Sequence, residues 1–135
     1  MLRGSLEKVG DHTYGFEKLH VWQNARRLVA QVYKVTTSFP KAETYSLVDQ
    51  IRRAAISVPA NLAEGTSRIS PKEQAHFTAI SYGSLMELLS HCYLAMDLEY
   101  IDQEDFDELR SNIFKISNEL NALRKSQFQR DEKKC

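Results

Sequence analysis

Helix breakers are scarce in this chain. It holds 5 Gly and 3 Pro among 135 residues, too few to punctuate the many short strands of an all-β domain, and that scarcity favours long helices. Cysteine is rarer still. Cys92 and Cys135 have neither a metal-binding spacing nor the dense, even set of a disulfide framework. No uninterrupted apolar run approaches the length of a membrane span. Met1 to Gly15 is broken up by Arg3, Glu7, Lys8 and Asp11 and carries no signal-type apolar core. Nor is there an excess of charge of one sign. Lys plus Arg is 18 and Asp plus Glu is 18, whereas a dedicated nucleic-acid binder concentrates basic residues. We therefore expect one cytoplasmic globular domain without membrane association, in keeping with 42% hydrophobic and 27% charged residues.

The neutral total hides an uneven distribution. Residues 1–72 hold 11 basic and 6 acidic residues, whereas residues 73–135 hold 7 and 12. The halves are thus +5 and −5, which permits a local basic patch and attraction between unlike faces of neighbouring copies.

Four helices follow from the spacing of apolar residues. The first is predicted over Lys18 to Ser38, with Val21, Ala25, Leu28, Val32 and Val35 three or four apart and Trp22 and Val29 widening the stripe. Phe39-Pro40 ends it. The second is predicted from Thr44, as N-cap, to Gly65, as C-terminal stop, on the steps of Val48, Ile51, Ala55, Val58 and Leu62. Pro59 lies inside that register, so a kink is expected rather than two helices. Ser70-Pro71-Lys72-Glu73 reads as a capping box that starts the third helix, which runs to about Glu99. The fourth starts at Asp102, with Glu104, Asp105, Asp107 and Glu108 in or near the first turn. Its seam is Phe106, Leu109, Ile113, Ile116, Leu120 and Leu123, and it is expected to fray into a charged tail. The chain is thus divided into an arm (1–15), a bundle (16–127) and a tail (128–135). Short connections make antiparallel up-down-up-down the default topology of an all-α four-helix bundle.

The third helix is apolar around most of its circumference. Leu85, Leu89, Cys92 and Met96 can serve a core, which would leave Phe77, Ile80, Leu88 and Leu94 wet in a monomer. A surplus of this kind points to self-association.

Candidate chemistry is sparse. Glu73 and His76 have the Glu-x-x-His spacing of ferritin-like carboxylate metal enzymes, but a second such pair is missing, since Glu87 and His91 are four apart. Glu73 also has a simpler role in the capping box. Ser57, Ser81, Ser84 and Ser90 lack the glycine turn of a nucleophile elbow, and no glycine-rich phosphate loop is present. No enzyme activity, cofactor, metal or small-molecule substrate is expected. Arg52 and Arg53 are expected first to make ion pairs across the bundle or between copies, and the alternative is that Arg26, Arg27, Arg52, Arg53, Arg68 and Lys72 form a candidate surface for RNA or a protein partner. Trp22 reads as a packing anchor.

Three stretches carry a family likeness. They are Leu19 to Ala25 (LHVWQNA), Gln50 to Gly65 (QIRRAAISVPANLAEG) and Ser84 to Leu88 (SLMEL). Together they resemble the bacterial four-helix-bundle proteins first described as open reading frames in intervening sequences of 23S ribosomal RNA genes, over roughly Phe16 to Ser126. The resemblance implies a homopentameric ring around a central channel and, for most members, no assigned biochemical activity. It also implies kinship with the accessory protein of diversity-generating retroelements, which partners a reverse transcriptase and binds nucleic acid through a strongly basic surface. This neutral chain departs from that branch. Trp22, Arg52, Arg53, Pro59, Asn61, Glu64 and Gly65 carry over as family-pattern positions, structural or interfacial in role. A purely structural protein–protein oligomer is the alternative.

Overall fold

The computed structural model describes residues 12–133. They form four α-helices: α1 (His20–Thr36), α2 (Leu47–Thr66), α3 (Pro71–Asp97) and α4 (Gln103–Lys133). Short 3-10 turns at Gly15–Lys18 and Lys41–Glu43 precede α1 and α2, and no β-strand occurs among the described residues. The expected arm lies largely outside the described residues.

Each helix buries one strip. On α1 it is Val21, Ala25, Leu28 and Val32; on α2, Val48, Ile51, Ala55, Val58 and Leu62; on α4, Phe106, Leu109, Ile113, Ile116 and Leu120. These are the three-and-four steps of the sequence turned into one shared core. The helices neighbour one another in a ring, α1 on α2, α2 on α3, α3 on α4 and α4 on α1, with α2 and α3 packed most extensively and α1 and α4 least. Along α2 and α3 the partners run in opposite order: Ser57 meets Ser84, Val58 meets Ser81, and Gly65 meets Phe77. The same holds for α3 and α4, where Gln74 meets Arg130, Thr78 meets Gln127 and Tyr93 meets Phe106.

Several boundaries differ from expectation for identifiable reasons. Thr44 does not cap α2, because the chain first makes the 3-10 turn and the helix begins at Leu47. The Glu43 carboxylate does the capping instead, accepting from the Ser46 hydroxyl and from the Leu47 N–H. Tyr100 donates to its other oxygen at 2.7 Å, tying the α1–α2 and α3–α4 turns together. Gly65 is not a left-handed stop. It is buried inside α2, and a Cβ there would stand 2.9 Å from the Cβ of Phe77, so glycine is required by close helix approach. Pro59 lies within α2 without ending it. α4 continues in helical form through the first six residues of the expected tail, to Lys133, with Gln127 buried.

The strip on α3 is turned from the one expected. It comprises Ala75, Thr78, Ser81, Leu85, Leu88, Cys92 and Ala95. Leu88, expected to be wet, is fully buried, while Leu89 and Met96, expected in the core, only flank it. The reason is polar. Ser81 is buried because its hydroxyl donates to the Val58 carbonyl at 2.9 Å, and Thr78 because its hydroxyl donates to Gln127 Oε1 at 2.8 Å. A satisfied hydroxyl can occupy a core position that counting apolar residues passes over. Ile80 and Leu94 do remain on the surface, 38% and 46% exposed, as does Leu98 at 52%. Phe77 is half-buried against Gly65 and beneath the Arg68 guanidinium, so much of it is used within the chain.

α3 ends without glycine. Its close has the paired bonds of a Schellman motif, Tyr100 N–H to the Ala95 carbonyl and Glu99 N–H to the Met96 carbonyl. Glu99 occupies the left-handed position with φ of 62°.

Candidate functional site

The six basic residues singled out in the sequence do not meet at one point. Arg52 and Arg53 sit in the second turn of α2, and Arg68 lies sixteen positions after Arg52, just past the end of that helix, roughly 24 Å away at helical rise. Most of these side chains have a partner within the chain. Arg52 Nε donates to Thr36 Oγ1 at 3.0 Å, and its guanidinium stacks 4.3 Å from the Tyr33 ring centre, joining α2 to α1. Arg53 pairs with Asp49 at 2.9 Å on the outer surface, and Arg68 with Glu64 at 3.0 Å. Arg26 lies 5.5 Å from the Trp22 ring centre. Arg27 Nη1 donates to Asn24 Oδ1 at 3.1 Å, and Lys72 is exposed in the first turn of α3. Exposed pairs such as Arg53–Asp49 contribute little to stability.

Of the other family-pattern positions, Asn61 and Gly65 stand at the α2/α3 seam. Asn61 Nδ2 donates to the Ser57 carbonyl and Oγ, each at 2.9 Å, and Ser57 Oγ lies 2.8 Å from Ser84 Oγ. With Ser81 on Val58 O, a polar ladder brackets Pro59 and fixes the register of the two helices. Trp22 is half-buried and meets Phe16 edge-on, ring centres 4.9 Å apart, as a packing anchor would.

The Glu73–His76 spacing assembles nothing further. The Glu73 N–H donates to Ser70 Oγ at 3.3 Å, one half of the expected capping box. Glu87 faces His91 at 3.3 Å, and His91 Nδ1 is buried without a hydrogen-bond partner. Among the described residues no three His, Cys, Asp or Glu side chains stand together as metal ligands. Burial pushes the Cys92 thiol up to about 12, which leaves it an inert core group. No described helix is long and apolar enough to cross a membrane.

The sequence reading missed the α1/α4 seam. Here the helices stand apart, and polar side chains span the gap. Asn24 Nδ2 donates to both carboxylate oxygens of Glu119, at 2.9 and 3.0 Å, and Asn112 Nδ2 donates to Gln31 Oε1 at 2.8 Å. A cleft of ≈ 260 Å³ opens beside these bridges, over Leu28 and Ile116. The available signal was a matched spacing: Asn24 and Gln31 are seven apart on α1, as are Asn112 and Glu119 on α4, so each pair shares one helix border.

Among known proteins, the profile of a family described as 23S rRNA-intervening sequence protein matches residues 17–122. No curated protein matches the chain. The chain is similar in structure to a protein of unknown function from the S23 ribosomal protein family of Bacteroides thetaiotaomicron, with a TM-score of 0.70 and 19% identity. The likeness covers 78% of this chain and 98% of that one, and at this identity it concerns the fold.

Proposed function

We propose that this chain, which belongs to the 23S rRNA-intervening sequence protein family, is a non-enzymatic scaffold that works by assembling with copies of itself. In this reading the helices form an antiparallel up-down-up-down bundle, and five copies close into the ring that the resemblance implies. The observation that carries the proposal is the flank of α3. Ile80 and Leu94, with Leu98 just past the helix end, stay exposed on a helix whose opposite side is already spent on the core. Charge supports it. The acidic excess of the second half gathers at the α3–α4 turn, where residues 97–108 hold seven carboxylates and no Lys or Arg. Lys72 stands at the opposite end of α3, so unlike ends are available to neighbouring copies. Sedimentation of the full chain tests this directly. A stable monomer at micromolar concentration overturns it, and Ile80→Asp with Leu94→Asp should dissociate the assembly while leaving the helical content intact.

The family description names 23S rRNA, which makes RNA, or an RNA-processing partner, the first candidate to bind the scaffold. Filter binding with structured RNA across a salt series separates the cases. A steep salt slope supports RNA contact, and no binding at low salt ends it. The purely structural oligomer is favoured instead by one observation: Arg52, Arg53 and Arg68 each already have an intramolecular partner.

A further inference from the structure

The open seam between α1 and α4 has chemistry that the scaffold reading does not use. The cleft over Leu28 and Ile116 is walled by Arg27 and Gln31 on one helix and by Asn112 and Lys115 on the other. A second cleft of ≈ 450 Å³ shares Gln31 and continues along the groove toward Lys34 and Glu108. The first cleft, at ≈ 260 Å³, lies just under the usual range of small-molecule sites, about 300–1,000 Å³, and suits a small ligand.

The charged residues that line the first cleft are of one sign. The Gln31–Asn112 amide pair satisfies one donor and one acceptor between its members. It keeps both an N–H and a C=O for a third party, whichever way the two amides are turned. Arg27 and Lys115 bring donors only, and one Arg27 nitrogen is committed to Asn24, leaving the rest of the fork. Glu119 lies outside the lining of this cleft and accepts both bonds of the Asn24 amide, and Asp105 and Glu108 line only the second cleft. What remains is two cations, one amide edge and an apolar floor.

We infer that this cleft binds a small organic anion, with its oxyanion between Arg27 and Lys115, its hydrogen-bonding edge on the Gln31–Asn112 pair and its apolar body over Leu28 and Ile116. The oxyanion is shared chemistry between a phosphate monoester and a carboxylate, so the test uses both. The side-chain NH₂ resonances of Gln31 and Asn112 are followed by NMR in the full chain during titration with AMP, with benzoate and with inorganic phosphate, at constant ionic strength. Saturable shifts from AMP alone assign a phosphate ligand, and from benzoate alone a carboxylate ligand. Inorganic phosphate, which has no body to cover the floor, should bind about tenfold more weakly than the better organic probe. Arg27→Glu and Lys115→Glu, both at exposed positions, should weaken binding about tenfold or more with unchanged circular dichroism. The inference is overturned if neither AMP nor benzoate gives a saturable shift up to about 10 mM. It is also overturned if the two charge reversals leave binding unchanged, or if inorganic phosphate binds as well as the organic probes.

Discussion

Along α2 and α3 the backbones come so close that a Cβ on Gly65 would stand 2.9 Å from the Cβ of Phe77, whereas α1 and α4 leave an open cleft over Leu28 and Ile116. The close seam is held by small side chains and by hydroxyls that bond across it, Ser81 to the Val58 carbonyl and Ser57 to Ser84. The open seam is held by longer amide and carboxylate side chains that reach over a gap. A buried hydroxyl with a defined partner, as on Ser81, fixes register, because a slip would leave it unsatisfied. Half-exposed amide bridges exchange with water at small net cost. The two seams therefore differ in what they tolerate: the first is committed to one geometry, and the second has room to take a ligand.

The largest expected effect comes from emptying the α3 strip that serves the close seam. Leu88→Ala should destabilise the chain by about 2–5 kcal/mol, the range for a fully buried leucine, as read by urea denaturation. A loss under about 1 kcal/mol would place Leu88 at the surface after all. Next is the contact itself. Gly65→Ala gains helix propensity, about 1 kcal/mol, but it drives a new methyl into the root of the Phe77 side chain, which cannot swing away as a flexible tip could. Overpacking of this kind costs about 1–3 kcal/mol, so the net change should be destabilising, and Phe77→Ala in the same chain should relieve part of it. An additive double mutant would mean that the two positions do not meet.

These two residues show where the sequence was legible and where it was not. The helices were readable because Val, Ile, Leu and Ala recur at three-and-four steps, and every such step on α1, α2 and α4 through Leu120 fell in or beside the core. Leu88 was misplaced because the rule counts apolar residues, and α3 has too many of them to choose a face. Its face was chosen by Thr78 and Ser81, whose partners Gln127 and Val58 lie 49 and 23 residues away. Gly65 was read as a stop because sequence shows that a side chain is missing, not what occupies the space. The α1/α4 cleft was missed for the same reason, since its two walls are far apart in the chain.

Smaller effects belong to the turn that closes one end of the bundle. Glu99 holds φ of 62° in the Schellman motif that ends α3, a position that favours glycine. Glu99→Gly should therefore raise stability by up to about 1 kcal/mol, as a higher denaturation midpoint. Beside it, Glu43 is held below its ordinary carboxylate range, first by the Ser46 hydroxyl and then by the Tyr100 hydroxyl and the Leu47 N–H. A depressed carboxylate stabilises the fold above its unfolded value, and that stabilisation is lost as pH falls through its folded value. Tyr100 shifts the other way, raised by its bond to Glu43, so its share persists below its ordinary range and is lost as pH climbs above it. Glu43→Gln should flatten the acid limb of a stability–pH curve, and an unchanged limb would mean that Glu43 is not what caps α2.

The smallest effect tests the open seam. Gln31→Ala and Asn112→Ala should each change stability by less than about 0.5 kcal/mol, because each partner left behind is half-exposed and can turn to water. The double mutant should show equally little coupling. If either single change costs more than about 1.5 kcal/mol, the amide bridge is structural in the way that Ser81 is, the contrast between the seams collapses, and the cleft becomes a by-product of packing. If both are neutral, residues that bridge two helices and fix the geometry of an open groove contribute almost nothing to holding the bundle together. Side chains so placed are free to be chosen for what they bind.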